Sequence, residues 1–150
     1  MPDFRRASRE FRALSWPERG VFTRAWLMLP AVAAGLRVLR FSKLQKAMLA
    51  APGSGEWGTD PARARSIARL VDSAAHWNPA PASCLVRSMV LCRLLQRRGL
   101  AAELRIGVAQ PDGGFAAHAW VEHGGAALAE GGAASERYTP FDESILAKGV

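Results

Sequence analysis

Residues 83–108 read S-C-L-V-R-S-M-V-L-C-R-L-L-Q-R-R-G-L-A-A-E-L-R-I-G-V, and a change of period inside this stretch decides the fold. Up to Arg98, apolar residues fall at 85, 86, 89, 90, 92, 94 and 95, covering most of a helix rather than one stripe. A helix apolar on most sides belongs at the centre of a core. Ser83 is a good N-cap, Arg97 and Arg98 suit the negative end of the helix dipole, and Gly99 supplies the C-cap. Beyond Gly99 the period becomes two. Leu104, Ile106 and Val108 alternate with other residues over 103–108, the pattern of a strand.

Working outward toward the C-terminus, Phe115 to His123 (F-A-A-H-A-W-V-E-H) is a second strand. Gly124-Gly125 signals a hairpin, and Ala126 to Glu130 returns as a third strand. Toward the N-terminus, Asp60-Pro61 combines an N-cap with a first-turn proline. The helix it opens puts Ala64, Ile67, Ala68, Val71 and Ala75 on one face, and Asn78-Pro79-Ala80-Pro81 stops it. Residues 51–60 (A-P-G-S-G-E-W-G-T-D) break both periodicities and read as a linker.

Residues 1–50 read as helices. Ser15 and Glu18 fit a capping box, and Phe22, Trp26 and Leu29 mark one helical face. Pro30 is expected to end or kink that helix. The pattern resumes at Val32, Leu36 and Leu39, then at Leu44, Ala47 and Met48. Helices followed by an antiparallel meander predict an α+β fold. The predicted organisation is a helical N-terminal subdomain (1–50), a linker (51–60) and a core (61–150).

The chain has 150 residues with 49% hydrophobic and 22% charged, which excludes collagen-like, low-complexity and disordered classes. The net charge of +7 is uneven: residues 1–50 carry +7, residues 51–100 carry +4 and residues 101–150 carry −4. A basic front predicts an anionic partner for the first half. Its Arg-rich helices are compatible with a nucleic-acid or other binding module. Their aromatic residues fall on the apolar face, however, so core packing is favoured and no nucleic-acid partner is expected. The longest apolar run, Ala25 to Leu36, has 12 residues and contains Pro30, against the ~20 a spanning helix needs. It reads as a buried helix pair, and no membrane role is expected. Cys84 and Cys92 lie eight apart, ~12 Å along a helix axis. That is beyond the ~7 Å a disulfide spans, so they read as free thiols suited to a reducing cytoplasm.

Cys84 carries the chemistry. A thiol in the first turn of a helix faces unpaired N–H groups and the positive dipole end, and both favour the nucleophilic thiolate. Cys92, mid-helix among Val, Leu and Leu, reads as a buried small hydrophobe. Of three histidines, His76 closes a helix and His123 abuts the glycine turn, where solvent is expected. His118 lies mid-strand between Ala117 and Ala119, which leave room at its edge, and is the candidate base.

A carboxylate should orient the imidazole. With a two-residue Gly124-Gly125 loop, His118 would face Gly131. With a three-residue loop, 123–125, it would face Glu130. Glu130 is therefore the leading acid in the three-residue register, ahead of Asp142 and Asp112. The Cys84 backbone N–H is the first oxyanion donor, and Gln110, Trp77 and Asn78 are side-chain alternatives. Metal-ligand spacing and phosphate-loop patterns are absent, so no metal or cofactor is expected.

The order helix-start Cys, strand His, carboxylate is that of the papain-like and transglutaminase-like superfamily. The segment from C-L-V-R-S at 84–88 through E-L-R-I-G-V, with A-H-A-W-V-E at 117–122, closely resembles the transglutaminase-like leader peptidases of lasso-peptide biosynthesis. The resemblance extends over roughly residues 8 to 146. It implies a papain-like/transglutaminase-like core in which a central Cys-bearing helix packs on a small antiparallel sheet. It also implies Cys84 as nucleophile, His118 as base and residue 130 as acid, where the family usually has Asp and this chain has Glu130. The activity implied is removal of the leader from a ribosomally made lasso precursor peptide, before a cyclase closes the ring. In that family a small recognition-element protein, fused or separate, holds the leader; a separate one is expected for a chain of 150 residues. An acyltransferase using the same triad is the alternative.

Overall fold

The computed structural model describes residues 4–49, 56–109, 114–128 and 139–140. Among these residues five helices, α1 (Phe4–Ala13), α2 (Trp16–Val38), α3 (Phe41–Met48), α4 (Pro61–His76) and α5 (Cys84–Gln96), precede four strands. These are β1 (Glu103–Ala109), β2 (Ala116–His123), β3 (Ala126–Leu128) and β4 (Thr139–Pro140). They form one antiparallel sheet in the order β3-β2-β1-β4. The α+β order predicted from the change of period is the order observed.

Local chemistry sets most boundaries. The Ser15 hydroxyl accepts from the Glu18 N–H at 3.4 Å, and the Glu18 carboxylate accepts from the Ser15 N–H at 2.7 Å. This closed capping box starts α2. Those hydrogen bonds hold the Glu18 carboxyl below the usual carboxylate range. Asp60 caps α4 through the Arg63 N–H at 3.0 Å, and Ser83 caps α5 through the Val86 N–H at 3.3 Å. Gly99 reverses the chain after α5 at φ +70°, a conformation costly for residues with a Cβ.

The core lies where α2, α4 and α5 meet the sheet. Leu29, Val71, Met89, Leu94, Leu95 and Val121 are all at most 1% exposed. Each such side chain contributes about 2 kcal/mol of burial free energy. Helix α2 is long and apolar enough to cross a membrane. Its Val21, Ala25, Leu29 and Val32 stripe joins the same core cluster as α4 and α5. The break in pattern at 51–60 is thus not a break in packing.

Two expectations are corrected. Of the two outcomes expected at Pro30, an end of the helix is not formed, and α2 continues to Val38. A proline has no N–H to give the carbonyl four residues earlier, here Trp26. The Asn78 side-chain amide donates to that Trp26 carbonyl at 2.8 Å, so the missing bond is replaced from another segment. Second, His123 is buried at 3% exposure rather than solvated. At the end of the linker, the Gly58 N–H donates to the Gly99 carbonyl at 2.7 Å, and the Ala101 N–H donates to the Gly58 carbonyl at 3.0 Å. In the His123 ring, both nitrogens are engaged. Its Nε2 accepts from the Asp60 N–H at 3.1 Å, and its Nδ1 faces the Ala101 carbonyl at 2.5 Å, the geometry of an Nδ1–H donor.

Candidate active site

Helix α5 presents Cys84, Arg87, Ser88 and Leu91 along one face, at the three- and four-residue spacing that stacks helical side chains. This face lines a narrow cleft of about 40 Å³ whose other walls are Val71 and Asp72 of α4 and His118 to Val121 of β2. Cys84 is half-buried in the first turn, directly after the Ser83 cap. Its thiol therefore sits at the positive end of the most central helix, as expected. Cys92, two turns on, is 1% exposed, and its Sγ contacts the Ala102 carbonyl at 3.5 Å. Burial pushes the Cys92 thiol up to about 12, with the Glu103 charge adding to the rise. The two cysteines thus occupy opposite environments.

His118 shares the cleft with Cys84. In antiparallel register it pairs with Gly107, a residue with no side chain to cover it. Its ring stacks at 6.2 Å and 16° on Trp120, the next residue on the same face of the strand. Trp120 is itself held: its Nε1–H donates to Glu122 Oε1 at 3.1 Å, while Glu122 Oε2 accepts from Arg105 Nε at 3.1 Å. Arg105 also pairs with Glu103 at 3.0 Å. A ladder of ring stacking and charge thus runs down one side of β1 and β2 and ends on the imidazole. Both Glu122 oxygens serve Trp120 and Arg105.

The hairpin differs from the three-residue form expected. Val121 pairs with Leu128, Glu122 with Ala127 and His123 with Ala126, leaving only Gly124 and Gly125 in the turn. Both have positive φ, +58° and +80°, which a two-residue type I′ turn requires. The register that would set Glu130 opposite His118 is therefore not the one formed between β2 and β3. Glu130, Asp112, Asp142 and Gln110 lie outside the described residues.

Two suggested oxyanion donors have other work. Trp77 Nε1–H donates to Glu10 at 3.2 Å. Asn78 uses its amide on Trp26, and its Oδ1 accepts from the Ala80 N–H at 3.0 Å. His76 packs edge-on against Trp77 at 4.8 Å. Among the described residues no group of three or more His, Cys, Asp and Glu is placed to hold a metal ion.

Three cleft residues were missed from sequence. Ser88 donates its hydroxyl to the Ala119 carbonyl at 3.0 Å, tying the Cys84 helix to the His118 strand. A buried serine four residues after Cys84 in an otherwise apolar stretch was the available signal. Arg87 and Asp72 enter the cleft from α5 and α4. Arg87 was legible as the residue one turn from Cys84, whereas Asp72 depends on how α4 packs.

Comparison with known families matches residues 26–142 to the transglutaminase-like superfamily. No curated protein and no solved structure matches the chain. The match includes α5, β1 and β2, and so both Cys84 and His118, together with most of α2. With its helical core, antiparallel sheet, and a helix-start cysteine and strand histidine lining one cleft, the chain belongs to the transglutaminase-like superfamily and has its cysteine protease/acyltransferase-type fold.

Proposed function

We propose that the protein is a cytoplasmic cysteine peptidase that removes the leader from a ribosomally synthesised lasso precursor peptide. A separate small recognition protein presents the leader, and a cyclase then closes the ring. The observation that carries this reading is the meeting of a half-buried first-turn thiol, Cys84, with His118 in one cleft. The C-L-V-R-S and A-H-A-W-V-E segments support the choice of substrate class.

In the proposed reaction His118 takes the Cys84 proton as Sγ attacks the carbonyl at the leader–core junction. The tetrahedral oxyanion receives the Cys84 N–H. His118 gives the proton to the leaving amine of the core peptide, the C–N bond breaks, and a leader thioester remains on Cys84. Water deprotonated by His118 then releases the leader as a free acid. Glu130 is the proposed orienting acid by family resemblance, with Asp142 and Asp112 as the other candidates.

The test incubates the protein with the precursor encoded beside its gene and with the neighbouring small recognition protein, and reads masses. The expected products are free leader acid and core peptide. Removing the proton acceptor in His118→Ala should slow cleavage by about 10²–10⁴-fold. Cleavage that survives Cys84→Ala overturns the mechanism. An amide adduct in place of the free acid makes the protein an acyltransferase. Full-rate cleavage without the recognition protein removes that partner. Glu130→Gln, Asp142→Asn and Asp112→Asn, assayed in parallel, identify the acid by the largest loss.

A further inference from the structure

The Cys84 cleft adjoins a second cavity at its α4 side. Asp72 and Arg87 line the cleft and also line this second, open groove of about 860 Å³. That groove runs between α1, the end of α4 and the proline-rich segment before α5, with Trp77, Pro81 and Ala82 among its apolar walls. The two cavities meet at these two residues, so groove and cleft are adjacent parts of one channel toward the thiol. The apolar wall of the groove suits a peptide.

The charges along this channel are unequal in what they have left to give. Arg6 and Glu10 pair at 3.2 Å, and Glu10 also accepts from Trp77. Asp72 is itself engaged, as is His118. The Arg87 guanidinium, half-buried at the junction, makes no salt bridge or side-chain hydrogen bond among the described residues. A guanidinium in a groove offers a planar fork of donors suited to a carboxylate. It also sits one helical turn from Cys84.

We propose that Arg87 is the specificity residue of this channel, taking the carboxylate of an aspartate or glutamate side chain in the bound peptide next to the bond attacked by Cys84. This inference rests on reading Cys84 as the nucleophile, but its test needs neither a precursor nor turnover, so it can fail independently of the leader-peptidase reading.

The experiment compares alkylation of Cys84 by iodoacetate, an anion, with alkylation by neutral iodoacetamide, read by mass. The ratio of the two rates removes differences in thiol reactivity common to both reagents. Loss of one nearby positive charge should lower the iodoacetate-to-iodoacetamide ratio about fivefold in Arg87→Gln. Arg87→Lys should keep most of the ratio, and Arg87→Glu should lower it further. Buried Cys92 must stay unlabelled in each variant, which confirms that the fold is intact. A second arm measures protection of Cys84 from iodoacetamide by alanine-based hexapeptides carrying one central Glu, Gln or Lys. Protection should favour Glu in the wild type and lose that preference in Arg87→Gln. An unchanged reagent ratio in both Arg87→Gln and Arg87→Glu overturns the proposal, as does a wild type that the Glu peptide protects no better than the Gln or Lys peptide.

Discussion

Asn78 donates its side-chain amide to the carbonyl of Trp26 at 2.8 Å, and that carbonyl is the one Pro30 leaves without a helical partner. The bond joins the segment leading into the Cys84 helix to the middle of α2, and it lets a proline sit inside a 23-residue helix. Asn78→Ala should therefore cost about 1 kcal/mol, the low end of the range for an unpaired polar group, because this acceptor is only partly buried. Pro30→Ala restores an N–H at position 30, so in that background the cost of Asn78→Ala should shrink. Urea unfolding of the four proteins in this cycle measures the coupling. Independent, additive effects would show that Asn78 does not substitute for the missing helical bond.

Ser88 holds helix α5 to strand β2 through the Ala119 carbonyl, one residue beyond His118. Its loss should move thiol and imidazole relative to one another more than it unfolds the protein. Ser88→Ala is expected to cost about 1 kcal/mol in stability. Small misplacements of reacting groups are expensive, so turnover of the precursor should fall at least about tenfold. The fall belongs in kcat, with KM little changed, because Ser88 positions the machinery and does not seat the peptide. A change confined to KM would move Ser88 into substrate binding.

Cys92 makes a pH prediction. Its thiol is pushed up to about 12 in the folded protein by burial, whereas an unfolded thiol titrates near 8.5. Below the unfolded value both states hold the proton and stability is unaffected. Between the two values the unfolded chain releases it and the folded chain keeps it, so stability falls as pH rises. The wild type should lose up to about 1.4 kcal/mol per pH unit more than Cys92→Ala in this alkaline window. Parallel pH dependences of the two proteins in urea unfolding would contradict the assignment. Near neutral pH, native Cys92 should resist alkylation while Cys84 reacts.

Arg37, Arg40, Lys43 and Lys46 are all exposed around the α2–α3 corner, beside Val38 at 83% and Leu39 at 45% exposure. A cationic rim around apolar side chains suits the proposed recognition protein or its bound leader. Replacing the four by Gln should weaken that complex, with a smaller salt dependence of binding, while iodoacetamide still labels Cys84 at the wild-type rate. Loss of binding and labelling together would mean misfolding. Unchanged binding would place the partner on another surface.

Much of the fold and part of the site were legible in the chain. Ser15, Asp60 and Ser83 act on N–H groups three residues away, so their caps are local chemistry and could be read directly. The same holds for the change of period after Gly99, for the first-turn position of Cys84 and for the apolar setting of Cys92. Two glycines in succession also announced the turn after His123, but not which residues would close it. Both loop lengths satisfy the local backbone. The pairing of Val121 with Leu128, which buries both in the core, is what distinguishes them.

What only the tertiary structure decided involves partners far apart in the chain. Pro30 reads as a helix breaker because its local penalty is real, and Asn78, 48 positions later, replaces the hydrogen bond it forfeits. His123 reads as solvated beside a glycine turn, yet Asp60 and Ala101 approach its two ring nitrogens from different segments. Asp72 enters the Cys84 channel because α4 packs beside α5, which no periodicity encodes. The sequence by itself determined the elements, their caps and the chemical identity of the thiol and imidazole, since each depends on neighbours within about one turn. The continuity of α2, the hairpin register and the charges around the cleft depend on contacts made only when distant segments share a core.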